Sequence, residues 1–425
     1  MQRKSKKKSL IIGNKIFLLG TFFLTSAFFI SSILFLISLV ISIININLNS
    51  KENFSKLLFF SFTLIILTTL NNTYFNKPIE LNEYSNLSIW LNLFNWLPIF
   101  FISWGFRNYL IEKKQRILFS QYFLAGTIPL LISCILQLWF GFDNGPYSIL
   151  NGLVIWFQYP IEGVGGLTGL FNNQNITGLW LSIALALNLG LIKQSTNLLS
   201  RYSLIGITSL IIYFIYLTNS RNAFIGLLIS IFISIGIKRS FLILISSFTF
   251  FYCTNLFYLL VNSNFNNKFL PIGLFSKISI NYSFLEDRLI IWKEALNLIF
   301  QRPLTGWGGS TFSYLFPKDQ VGFEAFHTHN IFLELAYNFG IPLSIILILF
   351  TYNLVKKSIE KILNYNNKDQ KIINSSWLLC FIIIIVTHNS DITFFDGRVS
   401  LICGIIISGL INIINNPLKI EHINK

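Results

Sequence analysis

The chain has 425 residues, of which 53% are hydrophobic and 12% are charged, whereas a soluble domain carries about 25% charged residues. This composition excludes a soluble globular protein and predicts an all-α, polytopic integral membrane protein. The net charge is +15, but Lys and Arg fall in short clusters between apolar runs, which is typical of cytoplasmic loops and not of a nucleic-acid-binding face. The four cysteines lie within apolar runs and form no CxxC pair, so they indicate neither a disulfide framework nor a zinc site.

The N-terminal region combines a basic segment, residues 3–8, with an apolar stretch from Ile16 to Ile44. The stretch is too long for the hydrophobic region of a cleaved signal peptide, and a single span needs roughly 20 residues. It therefore predicts either one tilted helix or two short helices that meet near Ser31 and Ser32. The basic segment is expected to stay in the cytoplasm.

Further apolar runs follow along the chain, at 57–72, 90–106, 118–140, 176–192, 203–217, 222–237, 240–262, 330–355, 374–389 and 399–416. Their basic connections are expected in the cytoplasm; these are Arg107–Arg116, Lys193–Arg201, Lys238-Arg239, Lys356–Lys371 and the C-terminal tail. An even number of runs separates every pair of these connections. The N-terminus obeys the same rule only if Ile16–Ile44 crosses twice. Parity therefore favours a helical hairpin there, and about twelve transmembrane helices in a single membrane domain over residues 1–425.

Two long segments are then expected in the periplasm, residues 141–175 and a larger loop, residues 263–329. In the larger loop, Ser283 and Glu286 match a capping box with Ser283 as the N-cap. A helix should follow from Phe284 to Gln301 and end before Pro303. One face of this helix carries Arg288 and four apolar side chains, those of Trp292, Ala295, Leu296 and Ile299. This pattern predicts an amphipathic helix that lies along the membrane surface.

The segment His327-Thr328-His329-Asn330 places two of the chain's four histidines at the start of the 330–355 run. Imidazole titrates near neutral pH, so it suits proton transfer or metal binding. Both histidines could also be ordinary solvated loop residues. A metal site would need further ligands, for which His388 and Asp391 are candidates. Because His-x-His alone is a weak metal signal, we predict no metal.

Two arginines stand in unusual places. Arg221 lies in a very short outer turn between two runs, where the positive-inside bias disfavours arginine. Arg221 and Arg288 either extend to lipid phosphates or bind an anionic substrate group, since a guanidinium matches phosphate oxygens. Together they suggest a site for a phosphorylated, membrane-embedded substrate.

Other polar outer segments carry two interpretations each. The Asn-rich segment that ends at Asn175 either caps the next helix or presents amides to a sugar. The segment from His388 to Asp391 is either a polar turn or part of the site. Glu334 is the clearest ionisable residue inside a run, and such residues are functional candidates by default. No Walker A motif, Asp-x-Asp motif, dinucleotide fingerprint or Ser-His-Asp order is visible. Any reaction must therefore draw its energy from an activated lipid substrate and not from ATP.

In combination, these motifs resemble the O-antigen ligases and the related O-antigen polymerases. The ligase signature is His, a small amide or hydroxyl residue, nine residues and Gly, which His329-Asn330, Ile331–Phe339 and Gly340 match. Ser220-Arg221-Asn222-Ala223 is similar to the family's Ser-Arg-x-Ala segment, and Arg288 falls where the family has an arginine. Two further elements complete the likeness: the turn Arg302–Gly308 with the pattern Arg-Pro-x-x-Gly-x-Gly, and the Asn-rich element Leu167–Gly178. The resemblance implies a polytopic helical fold with a large periplasmic loop.

The resemblance implies an inner-membrane, metal-independent, inverting glycosyltransferase without a cofactor, whose active site is on the periplasmic face. The donor would be a polyprenyl diphosphate-linked glycan, and the acceptor lipid A-core or another glycan, within membrane lipids and without nucleic acid. His329 would be the general base, Arg221 and Arg288 would hold the diphosphate, and Asp391 would orient His388 or the acceptor. Substrate contacts are expected from Asn330, Asn175, His327, His388 and Asp391. His327 leaves the choice of base open between two imidazoles. Ligase, polymerase and protein-directed oligosaccharyltransferase also stay open, as does the alternative of a polysaccharide or lipid-linked glycan transporter without catalysis.

Overall fold

The computed structural model describes residues 2–45, 53–161, 165–236 and 282–415, and these are mostly helical. Eight helices in the described residues are long and apolar enough to cross a membrane, and two shorter apolar helices accompany them. The chain is therefore a polytopic, essentially all-α membrane protein, as predicted. The count of twelve spans stays a prediction, because the run at 240–262 and the basic pair Lys238-Arg239 lie outside the described residues.

The described helices and strands follow in chain order, with labels used below. They are α1 (Gln2–Phe23), α2 (Phe28–Ile44), α3 (Asn53–Leu70), α4 (Asn86–Trp96), α5 (Pro98–Gly105), α6 (Lys113–Trp139), β1 (Tyr147–Ile149), β2 (Val154–Trp156), α7 (Gln174–Gln194), α8 (Leu198–Leu217), α9 (Arg221–Ile235), α10 (Tyr282–Gln301), α11 (Phe312–Leu315), α12 (Lys318–Val321), α13 (Ile331–Phe339), α14 (Ile341–Leu363), α15 (Lys368–His388) and α16 (Gly397–Asn415).

The long N-terminal apolar stretch forms two packed helices, α1 and α2. Ser31 donates a hydrogen bond to the carbonyl oxygen of Gly20 (2.7 Å), and the rings of Phe17 and Phe35 lie 5.8 Å apart. The two-helix interpretation is therefore confirmed, but the break falls at residues 24–27 and not at Ser31 and Ser32. The serines are tolerated inside α2 because each hydroxyl bonds a nearby backbone carbonyl.

Three of the predicted cytoplasmic connections meet at one end of the bundle. Lys113 Nζ lies 3.5 Å from a carboxylate oxygen of Asp369, and Gln194 donates to the backbone carbonyl of Asp369 (2.6 Å). Nearby, the buried guanidinium of Arg116 bonds Asn374 and the carbonyl oxygens that follow α5. Parity of the apolar runs thus placed these connections on a common side correctly.

The centre of the bundle is α7, which packs against α6, α8, α9 and α15. Its middle consists of small and aliphatic residues that are almost all buried, including Ala184 and Leu185. A Cβ at Gly178 would lie 2.4 Å from Cβ of Ala223, so this glycine lets α7 and α9 approach closely at their N-terminal ends. That contact brings the start of α9, with Arg221, beside the start of α7, with Asn175.

The predicted run 330–355 is interrupted, because α13 ends at Gly340 (φ +93°) before α14 begins. The last carbonyl groups of a helix have no partner within it. Here the turn Arg302–Gly308 supplies two: Trp307 N–H donates to Tyr337 O (2.8 Å), and Gly308 N–H to Asn338 O (3.0 Å). A Cβ at Gly306 (φ +64°) would lie 2.5 Å from Tyr337 O, which explains the glycine in this turn.

The amphipathic helix α10 ends at Gln301, as predicted. Ser283 lies inside the helix, so its assignment as the N-cap is wrong. The predicted face is confirmed for Ala295 and Ile299, which are buried together with Ile291, and is wrong for Leu296, which is 41% exposed. This face packs on Trp307 and Tyr337 and so joins α10 to α13. The long segment 141–175 adds a small antiparallel hairpin, β1–β2, to the otherwise helical fold.

Candidate active site

The His327–Asn330 segment is held in a defined turn immediately before α13. The buried carboxylate of Glu334 accepts hydrogen bonds from Thr328 N–H (2.9 Å) and from the Asn338 amide (3.1 Å). Thr328 Oγ1 in turn donates to Asn330 O (2.9 Å). His329 between them has φ +56°, a left-handed conformation that is unfavourable for most non-glycine residues. The turn therefore fixes the direction of the His329 side chain against a local conformational preference.

His329 is paired with Asp391, which follows α15 and is 62 residues further along the chain. Nδ1 of His329 lies 2.9 Å from Oδ1 of Asp391, and the side chains are only 22% and 11% exposed. With the Nδ1 proton directed at the carboxylate, Nε2 carries the free lone pair. This arrangement orients an imidazole as a base and stabilises the imidazolium that it becomes.

Asp391 is the centre of the cluster, because it also contacts two other predicted site residues. Its Oδ2 accepts a hydrogen bond from the Asn175 side chain (2.7 Å), and its Oδ1 lies 3.8 Å from a terminal nitrogen of Arg288. Asn175 comes from the first turn of α7, where the neighbouring Asn173 provides the N-cap. The predicted capping role of the Asn-rich segment is therefore confirmed for Asn173, whereas contact of Asn175 with a sugar stays a prediction.

Arg221 lies close enough to Arg288 for its charge to affect the ionisation of Arg288. Burial lowers the pKa of Arg288; the Asp391 charge raises it and the Arg221 charge lowers it. Arg221 is the first residue of α9, behind the N-cap Ser220, whose hydroxyl accepts from Ala223 N–H (3.3 Å). Two half-buried arginines, one of which lowers the pKa of the other, favour an anion near them.

His327 differs in its chemistry from His329. Its Nδ1 accepts a hydrogen bond from the backbone N–H of His329 (3.2 Å), so the neutral ring carries its proton on Nε2. Burial lowers the pKa of His327 to about 4; the Asp391 charge raises it and the Arg288 charge lowers it. His327 is therefore a neutral hydrogen-bond donor at physiological pH, and His329 is the better candidate for the base.

Two of the expected substrate contacts are engaged elsewhere. Both ring nitrogens of His388 are occupied, by Ile384 O (2.6 Å) and Thr393 Oγ1 (3.2 Å), and the side chain is fully buried. Asp391 consequently orients His329, and the expectation that it orients His388 is wrong. The Asn330 amide caps α13 through Phe332 and Leu333 N–H and donates to Asn389 O (3.0 Å). Asn330 thus ties the histidine turn to the segment that carries Asp391.

The histidines and Asp391 also form a group that could hold a metal ion, since one donor atom from each of His327, His329 and Asp391 lies within 4.8 Å of the others. His388, which the sequence offered as a fourth ligand, is outside this group. Arg288 stands beside the carboxylate and its positive charge opposes a bound cation. The donor set therefore fits a metal by distance, whereas the surrounding charge fits an anion.

Sequence reasoning missed the residues that support the cluster from the N-terminal part of the chain. Asn72 donates to Thr305 O (2.9 Å) and Gly306 O (3.2 Å), and Arg302 donates to Asn76 O (3.1 Å). Ser390 donates to Asn222 (2.7 Å), which ties the Asp391 segment to the Arg221 turn. Asn72 follows an apolar run and had no pattern to distinguish it, but Glu334 was visible as an ionisable residue inside one.

Comparison with known proteins finds a match to the family model described as O-antigen ligase, over residues 206–348. That range contains Arg221, Arg288 and His329 together with the turn Arg302–Gly308, whereas Asn175 and Asp391 lie outside it. No curated protein matches the chain. Residues 206–348 are therefore similar to the O-antigen ligases, the family that the motifs resemble.

Proposed function

We propose that this protein, whose residues 206–348 match the O-antigen ligase family model, is an inverting, metal-independent glycosyltransferase. It transfers a glycan from a polyprenyl diphosphate carrier to an acceptor hydroxyl group. The observation that carries this proposal is the His329–Asp391 pair (2.9 Å) beside the guanidinium of Arg288. A general base and an anion-binding group are the two functions that such a transfer needs.

His329 acts as the general base in this mechanism. The acceptor hydroxyl gives its proton to Nε2 of His329 while its oxygen bonds the anomeric carbon of the donor glycan. Asp391 stabilises the imidazolium that forms and holds the ring through Nδ1. A sugar hydroxyl is a weak nucleophile, and a positioned base contributes roughly 10²–10⁴-fold to the rate.

Arg221 and Arg288 act on the leaving group. As the bond between the anomeric carbon and the diphosphate oxygen breaks, the diphosphate gains negative charge, which the two arginines stabilise. Attack and departure occur on opposite faces of the anomeric carbon, so the configuration inverts in one displacement. The Arg221 charge lowers the pKa of Arg288, and a bound anion offsets this effect, which strengthens the interaction with the donor.

The membrane orientation follows from the basic connections. Lys and Arg accumulate in cytoplasmic loops, and the connections around Lys113, Lys193 and Lys371 lie at the bundle end opposite to the histidine turn. This arrangement supports a site that faces the periplasm, with residues 141–175 and 263–329 as the proposed periplasmic segments of a single membrane domain in the inner membrane. The exposed apolar side chains of α10, including Leu289 and Phe300, rest on membrane lipids.

The test uses cells that depend on this protein for surface glycan. His329→Ala and Arg288→Ala should abolish glycan assembly, and the lipid-linked precursor should accumulate on the periplasmic side. The matched control is Arg201→Ala, which removes an exposed arginine from the other end of the bundle. Precursor that accumulates on the cytoplasmic side instead would show that the protein is a transporter.

Two further measurements refine the reaction. A chelator should leave the activity of purified protein unchanged, and inhibition by the chelator would show that the histidine cluster needs a metal. Loss of a ligase leaves long chains on the lipid carrier, whereas loss of a polymerase leaves single repeat units. The products in the His329→Ala strain therefore decide whether the acceptor is lipid A-core or another glycan.

A further inference from the structure

A cavity lies beside the histidine cluster, between the α1–α2 turn, the β1–β2 hairpin and the segment 392–398. Its volume is about 500 Å³, within the range of small-molecule and cofactor sites. It shares walls with the cluster: Asn172 and Ile176 flank Asn175, and Ile392 and Thr393 follow Asp391. The indole of Trp156 donates to Ser26 O (2.9 Å), which fixes the hairpin to the α1–α2 turn.

A buried ion pair forms part of the cavity wall. Nε of Arg398 lies 2.9 Å from Asp396 Oδ1, and a terminal nitrogen lies 2.5 Å from Oδ2. The other terminal nitrogen donates to Leu170 O (3.2 Å), and the guanidinium stacks on the Phe171 ring at 4.0 Å. These contacts within the described residues engage three of the five N–H groups of a guanidinium that is 5% exposed. Because Asp396 neutralises the charge, the wall suits uncharged hydroxyl groups better than a diphosphate.

The rim of the cavity is apolar. Phe28, Phe29, Leu153 and Ile155 line it and are 39%, 53%, 42% and 46% exposed. In a membrane protein, exposed apolar side chains at the ends of the spans fit the boundary between lipid and water. A polar wall behind an apolar rim matches a ligand with a sugar head group and a lipid anchor.

The cavity also has a short route to the base. Phe395 lines the cavity and its ring lies 5.7 Å from that of His327, which is 4.0 Å from that of His329. All the cavity residues lie outside residues 206–348, whereas His329 and the two arginines lie inside. This division is expected if the matched region handles the shared donor and the cavity handles the acceptor.

We propose that this cavity binds the sugar head group of a lipid-anchored acceptor glycan, an inference that rests on the proposed function. Arg398 and Asn172 donate hydrogen bonds to its hydroxyl groups, and Phe395 guides the reacting hydroxyl toward His329. The lipid anchor passes between Phe28, Phe29 and the hairpin into the membrane. A lipid-anchored acceptor argues for ligation or polymerisation and against transfer to protein.

Photocrosslinking in cells tests this inference without knowledge of the sugar. The photoreactive residue p-benzoylphenylalanine replaces Phe29 at the rim or, as a control, Phe60 on α3, which is 55% exposed elsewhere on the bundle. We expect a glycan-bearing lipid adduct at position 29 and only phospholipid at position 60, by mass spectrometry. Asn172→Ala and Arg398→Gln should each reduce the glycan adduct roughly tenfold. Asn172 is exposed, so its substitution keeps the test valid if Arg398→Gln does not fold.

The same experiment in two backgrounds separates the acceptor from the donor. In Arg288→Ala cells the donor diphosphate contact is lost, and the adduct at position 29 should persist. An adduct that disappears in that background would show that the cavity holds the donor, and an adduct of phospholipid alone would also overturn the inference. In His329→Ala cells the adduct should persist as well, whereas unimpaired glycan transfer in those cells would refute the proposed function and not the cavity's ligand.

Discussion

Asp391→Asn removes the charge at the centre of the cluster and leaves the shape of the side chain nearly unchanged. The carboxylate contacts His329 Nδ1 (2.9 Å), the Asn175 amide (2.7 Å) and Arg288 (3.8 Å), and all three present N–H donors. An asparagine has one acceptor oxygen, so its NH₂ must face one of these donors. If it faces His329, it favours the tautomer with the proton on Nε2, which cannot accept a proton from the acceptor hydroxyl.

The expected loss is that of a general base, roughly 10²–10⁴-fold in kcat, or about 2.7–5.4 kcal/mol of transition-state stabilisation. The donor KM should change little, because Arg221 and Arg288 still bind the diphosphate. The assay measures release of glycan from its polyprenyl diphosphate carrier by the full chain in lipid nanodiscs, with membranes of the producing cell as the acceptor source.

Asp369→Asn is the matched control, since it removes an aspartate that pairs with Lys113 at the other end of the bundle and is 62% exposed. Its kcat should equal that of the parent chain. A kcat for Asp391→Asn within about threefold of the parent would refute the assignment of His329 and Asp391 as a catalytic pair. A loss confined to thermal stability would refute it equally.

Three further outcomes follow from the same geometry. His327→Gln keeps a side-chain N–H donor and removes a ring whose pKa is lowered by burial to about 4. Because the ring is already neutral above pH 5, the pH profile of kcat should not change. Loss of an ionisation near pH 6 in this variant would contradict the assignment of His327 as a neutral donor. Gly340→Ala places a Cβ 2.2 Å from the backbone oxygen of Leu304 and should lower the unfolding temperature of the purified chain. The control Gly322→Ala, at a glycine with a similar φ and no atom within 4 Å of the added Cβ, should lower it less. Equal shifts in the two variants would show that φ alone determines the loss of stability. Glu334→Ala leaves Thr328 N–H buried without its acceptor, which should destabilise the folded chain by about 1–3 kcal/mol. The variant should also lower kcat, because the turn that holds His329 becomes less rigid. Glu334→Gln retains an acceptor oxygen and should keep most of the activity.

Much of the fold could be predicted from the sequence, because hydrophobic length and charge act locally along a membrane chain. Within the described residues, the apolar runs form helices at nearly the predicted positions, with a break in 330–355 at Gly340, and the basic connections around Lys113, Lys193 and Asp369 meet at one end. Where the prediction failed, packing was responsible. The break in the N-terminal stretch moved to residues 24–27 because the serines within α2 satisfy their hydroxyl groups on helix carbonyls.

The candidate site was predicted only in part. The motifs identified His329, Arg221 and Arg288 through residue type and spacing, and a family match covers all three. They could not identify the partner of His329, because Asp391 is 62 residues away and no local pattern joins them. Nor could they show that the side chain of His388, the last residue of α15, points into the core and bonds Ile384 and Thr393.

The sequence by itself determined the class of protein, the segments that cross the membrane and the residue types available at their outer ends, since the free energy of placing a segment in lipid depends mainly on its own composition. The tertiary structure decided which of those polar residues act together. Close approach of α7 and α9 at Gly178 sets Asn175 beside Arg221, the turn Arg302–Gly308 fixes α10 with Arg288 against α13, and the Glu334 carboxylate holds His329 in its left-handed conformation. The first two are contacts between distant parts of the chain, and the energy of all three depends on packing that only the folded chain has.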